Sequence, residues 1–140
     1  MNSFRIFDVA ASAMSAQSQR LNLVASNLAN ANTVSSSADQ TYRSRQPVFA
    51  AALQDAMGNS GPGEAPGVKM LGVVENRTPL QMEYAPDHPM ANEEGYIFKA
   101  NVNTVEEMTN MISASRSYQD NVEVFNTAKQ LMLQTLRLGE

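Results

Sequence analysis

Two columns of apolar residues at intervals of seven, one near each end of the chain, constrain the fold more than any other feature. Phe7, Met14, Leu21 and Leu28 recur near the N-terminus, with Ala10, Val24 and Ala31 three residues after three of them. Met111, Tyr118, Phe125 and Met132 repeat the interval near the C-terminus, flanked by Met108, Val122 and Leu136. Such columns place one apolar stripe along each helix. Helices over residues 4–32 and 104–138 would be about 43 Å and about 52 Å long. Neither rod can bury its stripe alone, so the two are expected to pack on each other, parallel or antiparallel.

Outside its stripe, the first helix carries Ser12, Ser15, Gln17, Ser18, Gln19, Asn22, Ser26, Asn27 and Asn30, with only Arg5, Asp8 and Arg20 charged. A solvated helix face usually carries Lys and Glu. Small uncharged polar groups instead permit close approach and hydrogen bonding across a contact, without the desolvation penalty of a buried ion. This face is therefore expected to meet neighbouring subunits. Asn27, Asn30 and Asn32 are assigned to it, and Phe7, Met14, Leu21, Leu28, Met108, Met111, Tyr118, Val122, Phe125, Met132 and Leu136 to helix packing and assembly.

The helical period is lost between the ends. Ser3 is a candidate N-cap, and the first pattern fades at Asn30 to Thr33, where Asn tolerates the left-handed turn that ends helices. Val34 to Gln40, with three consecutive serines, reads as a flexible connector. Residues 42–53 read as extended, and the glycines and prolines between Gly58 and Gly67 as a loop. Val68 to Glu75 and Leu80 to Tyr84 read as strands with Thr78-Pro79 as the turn between them, giving a small β hairpin or sheet, followed by an irregular stretch from Asp87 to Gly95 and a strand at Tyr96 to Phe98. Thr104 and Glu107 fit a capping box, Glu106 adds charge at the positive end of the dipole, and Arg137 and Gly139 close the last helix. The fold class is thus mainly α with a small β region: long terminal helices forming a coiled-coil-like pair around a β-hairpin-containing middle. Its segments are an N-terminal axial helix (1–33), a connector and β-rich middle (34–103) and a C-terminal axial helix (104–140).

Composition excludes several functions. A net charge of −4 with no basic run lacks the footprint of nucleic-acid binding. No apolar run is long enough to span a bilayer, and the N-terminus lacks a cleavable export signal. The absence of cysteine removes thiol chemistry and thiolate metal sites. His88, beside Asp87 and near Glu93 and Glu94, has no second histidine at metal-ligand spacing. The adjacent Glu106 and Glu107 point in different directions, and Gly61-Pro62-Gly63 with Gly67 lacks the Lys-Ser or Lys-Thr of a phosphate loop. Met108, Met111 and Met132 serve as adaptable packing residues. With no nucleophile beside a base, neither an enzyme nor a cofactor or small-molecule substrate is expected.

Several segments resemble a known family. Ser26-Asn27-Leu28-Ala29-Asn30-Ala31-Asn32-Thr33 is similar to the Asn-rich helix end of bacterial flagellar axial proteins, which build the rod, hook and hook–filament junction. The rod branch is indicated by residues 101–108 (Asn-Val-Asn-Thr-Val-Glu-Glu-Met), 114–119, 121–124 and 136–139, and by His88-Pro89-Met90-Ala91-Asn92 with Gly95-Tyr96. Ala100 departs from the family pattern, which usually has Pro there. The resemblance implies a proximal-rod subunit of the basal body, exported unfolded by the flagellar type III apparatus without a cleaved signal. In the periplasm it would assemble into a helical tube that carries torque from motor to hook. It also implies partners: copies of itself, the rod proteins FlgB and FlgF, and FliE at the base. A soluble helical adaptor or chaperone of the export system is the alternative.

Overall fold

The computed structural model describes residues 2–51 and 67–138. Two helices dominate it: α1 (Asn2–Asn30) and α2 (Thr104–Leu138). Between them come β1 (Val34–Ser35), β2 (Arg45–Ala51), β3 (Val68–Glu75), β4 (Gln81–Tyr84) and β5 (Tyr96–Lys99). The expected loop from Gly58 and the closing Gly139 lie outside the described residues.

The helices run antiparallel. Phe7 meets Phe125 edge to face with ring centroids 4.9 Å apart, Arg20 Nη2 donates to Asn110 Oδ1 at 3.1 Å, and Asn27 reaches Glu107. Small residues let the backbones approach: Ala10, Ala16, Val24 and Ala114 are buried, while Phe7, Met14, Leu21, Leu28, Met111, Val122, Phe125 and Met132 are half-buried around them. Gln17 places its Oε1 inside the fold with no partner among the described residues, a local penalty of about 1–3 kcal/mol.

Three residues of the expected second stripe stay exposed: Met108, Tyr118 and Leu136. Adjacent helix positions differ by about 100°, so with Glu107 buried, Met108 must point away. Leu136 lies beyond the start of α1. The Phe7–Phe125 pairing puts Asn2 opposite about residue 130, so α2 overhangs its partner by about 12 Å. Tyr118 sits at the margin of the contact because a repeat of seven drifts by about 20° per heptad on a straight helix.

The helix starts also differ from expectation. α1 begins at Asn2, which puts Ser3 inside the first turn. At α2 the cap is Asn103: its Oδ1 accepts from the amides of Val105 (3.2 Å) and Glu106 (3.4 Å). Thr104 is the first helical residue, and the Glu107 side chain turns into the fold instead of completing a capping box.

The strands form two antiparallel sheets, β1-β5-β4 and β2-β3. The expected hairpin of 68–75 with 80–84 does not form, because β3 pairs with β2 and β4 pairs with β5. The turn between them is held apart from either sheet: Asn76 Oδ1 accepts from Thr78 N and Oγ1, and Asn101 Nδ2 donates to the carbonyls of Asn76 (3.0 Å) and Thr78 (2.9 Å). The connector after α1 is likewise not free. Val34 and Ser35 pair with β5, Thr41 Oγ1 donates to Ser37 O at 2.7 Å, and Ala100 N donates to Thr33 O, a bond that a proline at 100 would remove. Gly95 turns the chain into β5 with φ of 80°, where a Cβ would sit 2.9 Å from the Tyr84 ring.

Phe125→Ala removes the edge-to-face contact from a half-buried site and is expected to lower unfolding free energy by about 2 kcal/mol, read as a shifted urea midpoint.

Candidate assembly surface and its polar junction

Asn27 is 1% exposed, although its place in an uncharged polar stretch assigned it to a subunit-facing surface. All of its amide's hydrogen-bonding capacity is used within the chain. Nδ2 donates to Arg45 O (2.8 Å) and Glu107 Oε1 (3.1 Å). Oδ1 accepts from Arg45 N (3.0 Å) and Tyr42 Oη (2.8 Å). The side chain thus pairs with both backbone groups of Arg45 as a neighbouring strand would, and fixes the start of β2 against α1. Glu107, 5% exposed, also lies 3.4 Å from Ser44 Oγ, which donates to it. Ser44 N donates in turn to Asn101 Oδ1 at 2.8 Å. A buried amide without partners would carry a penalty of several kcal/mol; here each polar group has one.

Asn30 and Asn32 take other places. Asn30 Nδ2 bonds back to Ser26 O at 2.8 Å, and Asn32 is exposed past the end of α1. Reading the sequence missed Tyr42, Ser44 and the inward turn of Glu107. These groups are brought together across 15 to 80 positions of chain, and no local period signals that. The one available cue was Asn101-Val102-Asn103, two amides just before a helix.

The region considered for chemistry is a turn. His88 Nδ1 accepts from Met90 N at 3.1 Å, and Asn92 Oδ1 accepts from Glu94 N and Tyr96 N. Among the described residues, no group of three His, Cys, Asp or Glu is placed to hold a metal ion.

Apolar surface lies on both flanks of α2. Val105, Met108 and Ile112 form an exposed stripe near its start. Near its end, Ile6 of α1 with Val124, Ala128, Leu131 and Met132 line a groove of about 580 Å³. On the overhang Leu133, Leu136 and Leu138 are exposed as well, the last 86%. Soluble monomers rarely leave such contiguous apolar surface uncovered.

Comparison with known proteins identifies the family. Residues 7–35 match the family described as "Flagella basal body rod protein" and residues 93–138 that described as "Flagellar basal body rod FlgEFG protein C-terminal". The chain is 51% identical to the flagellar basal-body rod protein FlgC of Escherichia coli O157:H7 over 136 residues, 96% of each chain. It is 48% identical to FlgC of Salmonella typhimurium over the same length and share, and 32% identical to FlgC of Bacillus subtilis over the whole of both chains. The chain belongs to the FlgC family of flagellar basal-body rod proteins. It is a structural subunit of the rod, and the export-adaptor alternative is not favoured. In this FlgC-family chain the matched segments contain α1 from Phe7 onward, β1, β5 and α2, and with them Asn27, Asn101 and Glu107. Tyr42, Ser44 and Arg45 lie between the matches.

Asn27→Ala strands the Arg45 amide and carbonyl and the Tyr42 hydroxyl, and is expected to destabilise the fold by about 3 kcal/mol. Tyr42→Phe, which removes one hydroxyl, should lose only about 1 kcal/mol. Urea denaturation of both variants, with amide exchange at Arg45, checks the ranking.

Proposed function

We propose that this chain builds the rod through α1 and α2, which pack side by side with the helices of adjacent subunits and place the β-rich middle outside them. The observation that carries the reading is the apolar overhang and groove of α2. A helix end extending about 12 Å past its partner, with leucines on several sides, gains stability only from burial against another chain. The residues assigned to assembly divide accordingly. Phe7, Met14, Leu21, Leu28, Met111, Val122, Phe125 and Met132 hold the pair, while Met108, Tyr118 and Leu136 face the neighbours.

The family's implied setting completes the proposal. The subunit crosses the inner membrane through the flagellar type III apparatus without a cleaved signal and assembles in the periplasm. It contacts copies of itself, FlgB and FlgF, with FliE at the base, and transmits torque from motor to hook without performing catalysis. Segments 1–33 and 104–140 are the axial part, and 34–103 is the outer part. A chain without cysteine avoids mispairing in that oxidising space.

Leu21→Asp and Phe125→Asp each put an unpaired carboxylate into the helix pair. Both variants are expected to be made and exported but to yield no rod and no motility, read by secretion assay and electron microscopy of basal bodies. Wild-type swimming by either would refute packing through these faces. Amide exchange on the purified chain adds a second check. Both helix ends should exchange quickly before assembly, and strong protection along the whole of both helices would contradict ordering on assembly.

A further inference from the structure

Among the described residues, the edges of β3 and β4 each leave a run of backbone groups that need partners, while the edge strand β1 is only two residues long. Asn76 N donates to Ser44 O at 2.7 Å, so Ser44 and Asn76 form a hydrogen-bonded pair. In an antiparallel ladder such pairs alternate with pairs whose amides and carbonyls point outward. Arg45↔Glu75 and Pro47↔Val73 are the outward pairs. On β2 this edge is closed, because Asn27 holds Arg45 and Pro47 has no N–H. On β3 it is open: Val73 and Glu75 direct their backbone groups away from β2, with no partner among the described residues. Only the far end of that edge is engaged, where Val68 N donates to Ser12 Oγ at 3.2 Å.

The other sheet repeats the situation. Ala85 N donates to Gly95 O at 2.9 Å, and alternation along Glu83↔Ile97 and Gln81↔Lys99 turns Met82 and Tyr84 outward on β4. The flanking side chains are apolar and uncovered: Leu71 is 67% exposed, Met82 65% and Tyr84 64%. Within one chain β3 and β4 cannot meet, because Asn101 pins the turn between them.

We propose that the β3 edge of one copy pairs with the β4 edge of the next copy, joining β2-β3 and β4-β5-β1 into one sheet across the subunit boundary. The match is chemical and numerical. Val73 and Glu75 present the same set of donors and acceptors as Met82 and Tyr84, and Val73 supplies an apolar partner for Met82 or Tyr84; Leu71, the unpaired residue at the register shift of the β2–β3 ladder, lies beyond them. Two different edges on one chain make a heterologous contact. Such a contact extends from copy to copy instead of closing into a dimer, as a helical shaft requires. An exposed apolar edge without proline or inward charge invites strand addition from another chain. The inference rests on the rod-subunit reading and adds an outer-layer contact to its helical one.

The cysteine-free sequence gives a direct test. Val73→Cys is combined in turn with Met82→Cys and Tyr84→Cys, and basal bodies are oxidised and run on a non-reducing gel. Outward pairs bring Cα atoms within disulfide reach, so at least one double variant should give a ladder of dimers and higher multimers that the single variants lack. Assembled rods without a ladder, or an adduct with a different protein only, would overturn the proposal. Should the cysteines block assembly, Val73→Pro decides. It removes one outward N–H and no β2–β3 hydrogen bond, so the purified variant should keep its helix content and melting midpoint while rod assembly is lost. Normal swimming with Val73→Pro would refute edge pairing alone, whereas intact rods in a strain lacking the gene would refute the rod-subunit reading beneath it.

Discussion

The amide of Asn27 joins parts of the molecule that would otherwise have little reason to stay together. The helix pair and the β2-β3 ribbon share few large buried side chains, and the largest fully buried one is Asn27 itself. Apolar contact is non-directional and tolerates sliding. An amide that uses both donors and both acceptors on Arg45, Glu107 and Tyr42 fixes register and angle together. Asn101 does the same for Ser44, Asn76 and Thr78. Asn27 therefore ties the helix pair to β2, and Asn101 ties the segment before α2 to the entry of β2 and to the turn between β3 and β4. Each is satisfied, which is the condition under which a buried polar group specifies structure instead of weakening it.

Much of the fold was legible because the terminal helices follow a period. Phe7 and Phe125 fell on opposing columns and meet in the structure, since a repeat of seven sustained over four positions leaves few alternatives to a paired helix. The strands at 68–75 and 96–98 were also visible from β-branched and aromatic runs. Their pairing was not, because the same runs suit any neighbour, while the turn that separates β3 from β4 is held by Asn76 within it and by Asn101, which follows β5. Val34 to Gln40 looked flexible on composition, yet its serines and Thr41 close local hydrogen bonds that composition cannot reveal.

The polar junction was legible only in part, and for a related reason. An uncharged polar helix face fits a subunit contact and an intrachain contact equally well, since both bury hydrogen-bonding groups without burying ions. Asn27 belongs to the second kind and the exposed Asn32 is left available for the first. Glu107 misled because a carboxylate three positions after a threonine is the mark of a capping box. Asn103, one residue earlier, had already supplied the cap, which freed Glu107 to turn inward.

Placement of polar and apolar contacts also fits the mechanics of a shaft. Between α1 and α2 the contacts are mainly small and apolar, with Arg20 to Asn110 and Asn27 to Glu107 as side-chain hydrogen bonds across them and Gln17 Oε1 unpartnered among the described residues. At the junction with the sheets the contacts are directional and complete. The Asn27–Arg45 bonds tie α1 to β2, alongside the β1–β5 ladder that follows α1 and the chain that runs from β5 directly into α2. Apolar packing is thus concentrated along the helices, and directional bonding where the polar junction ties them to β2.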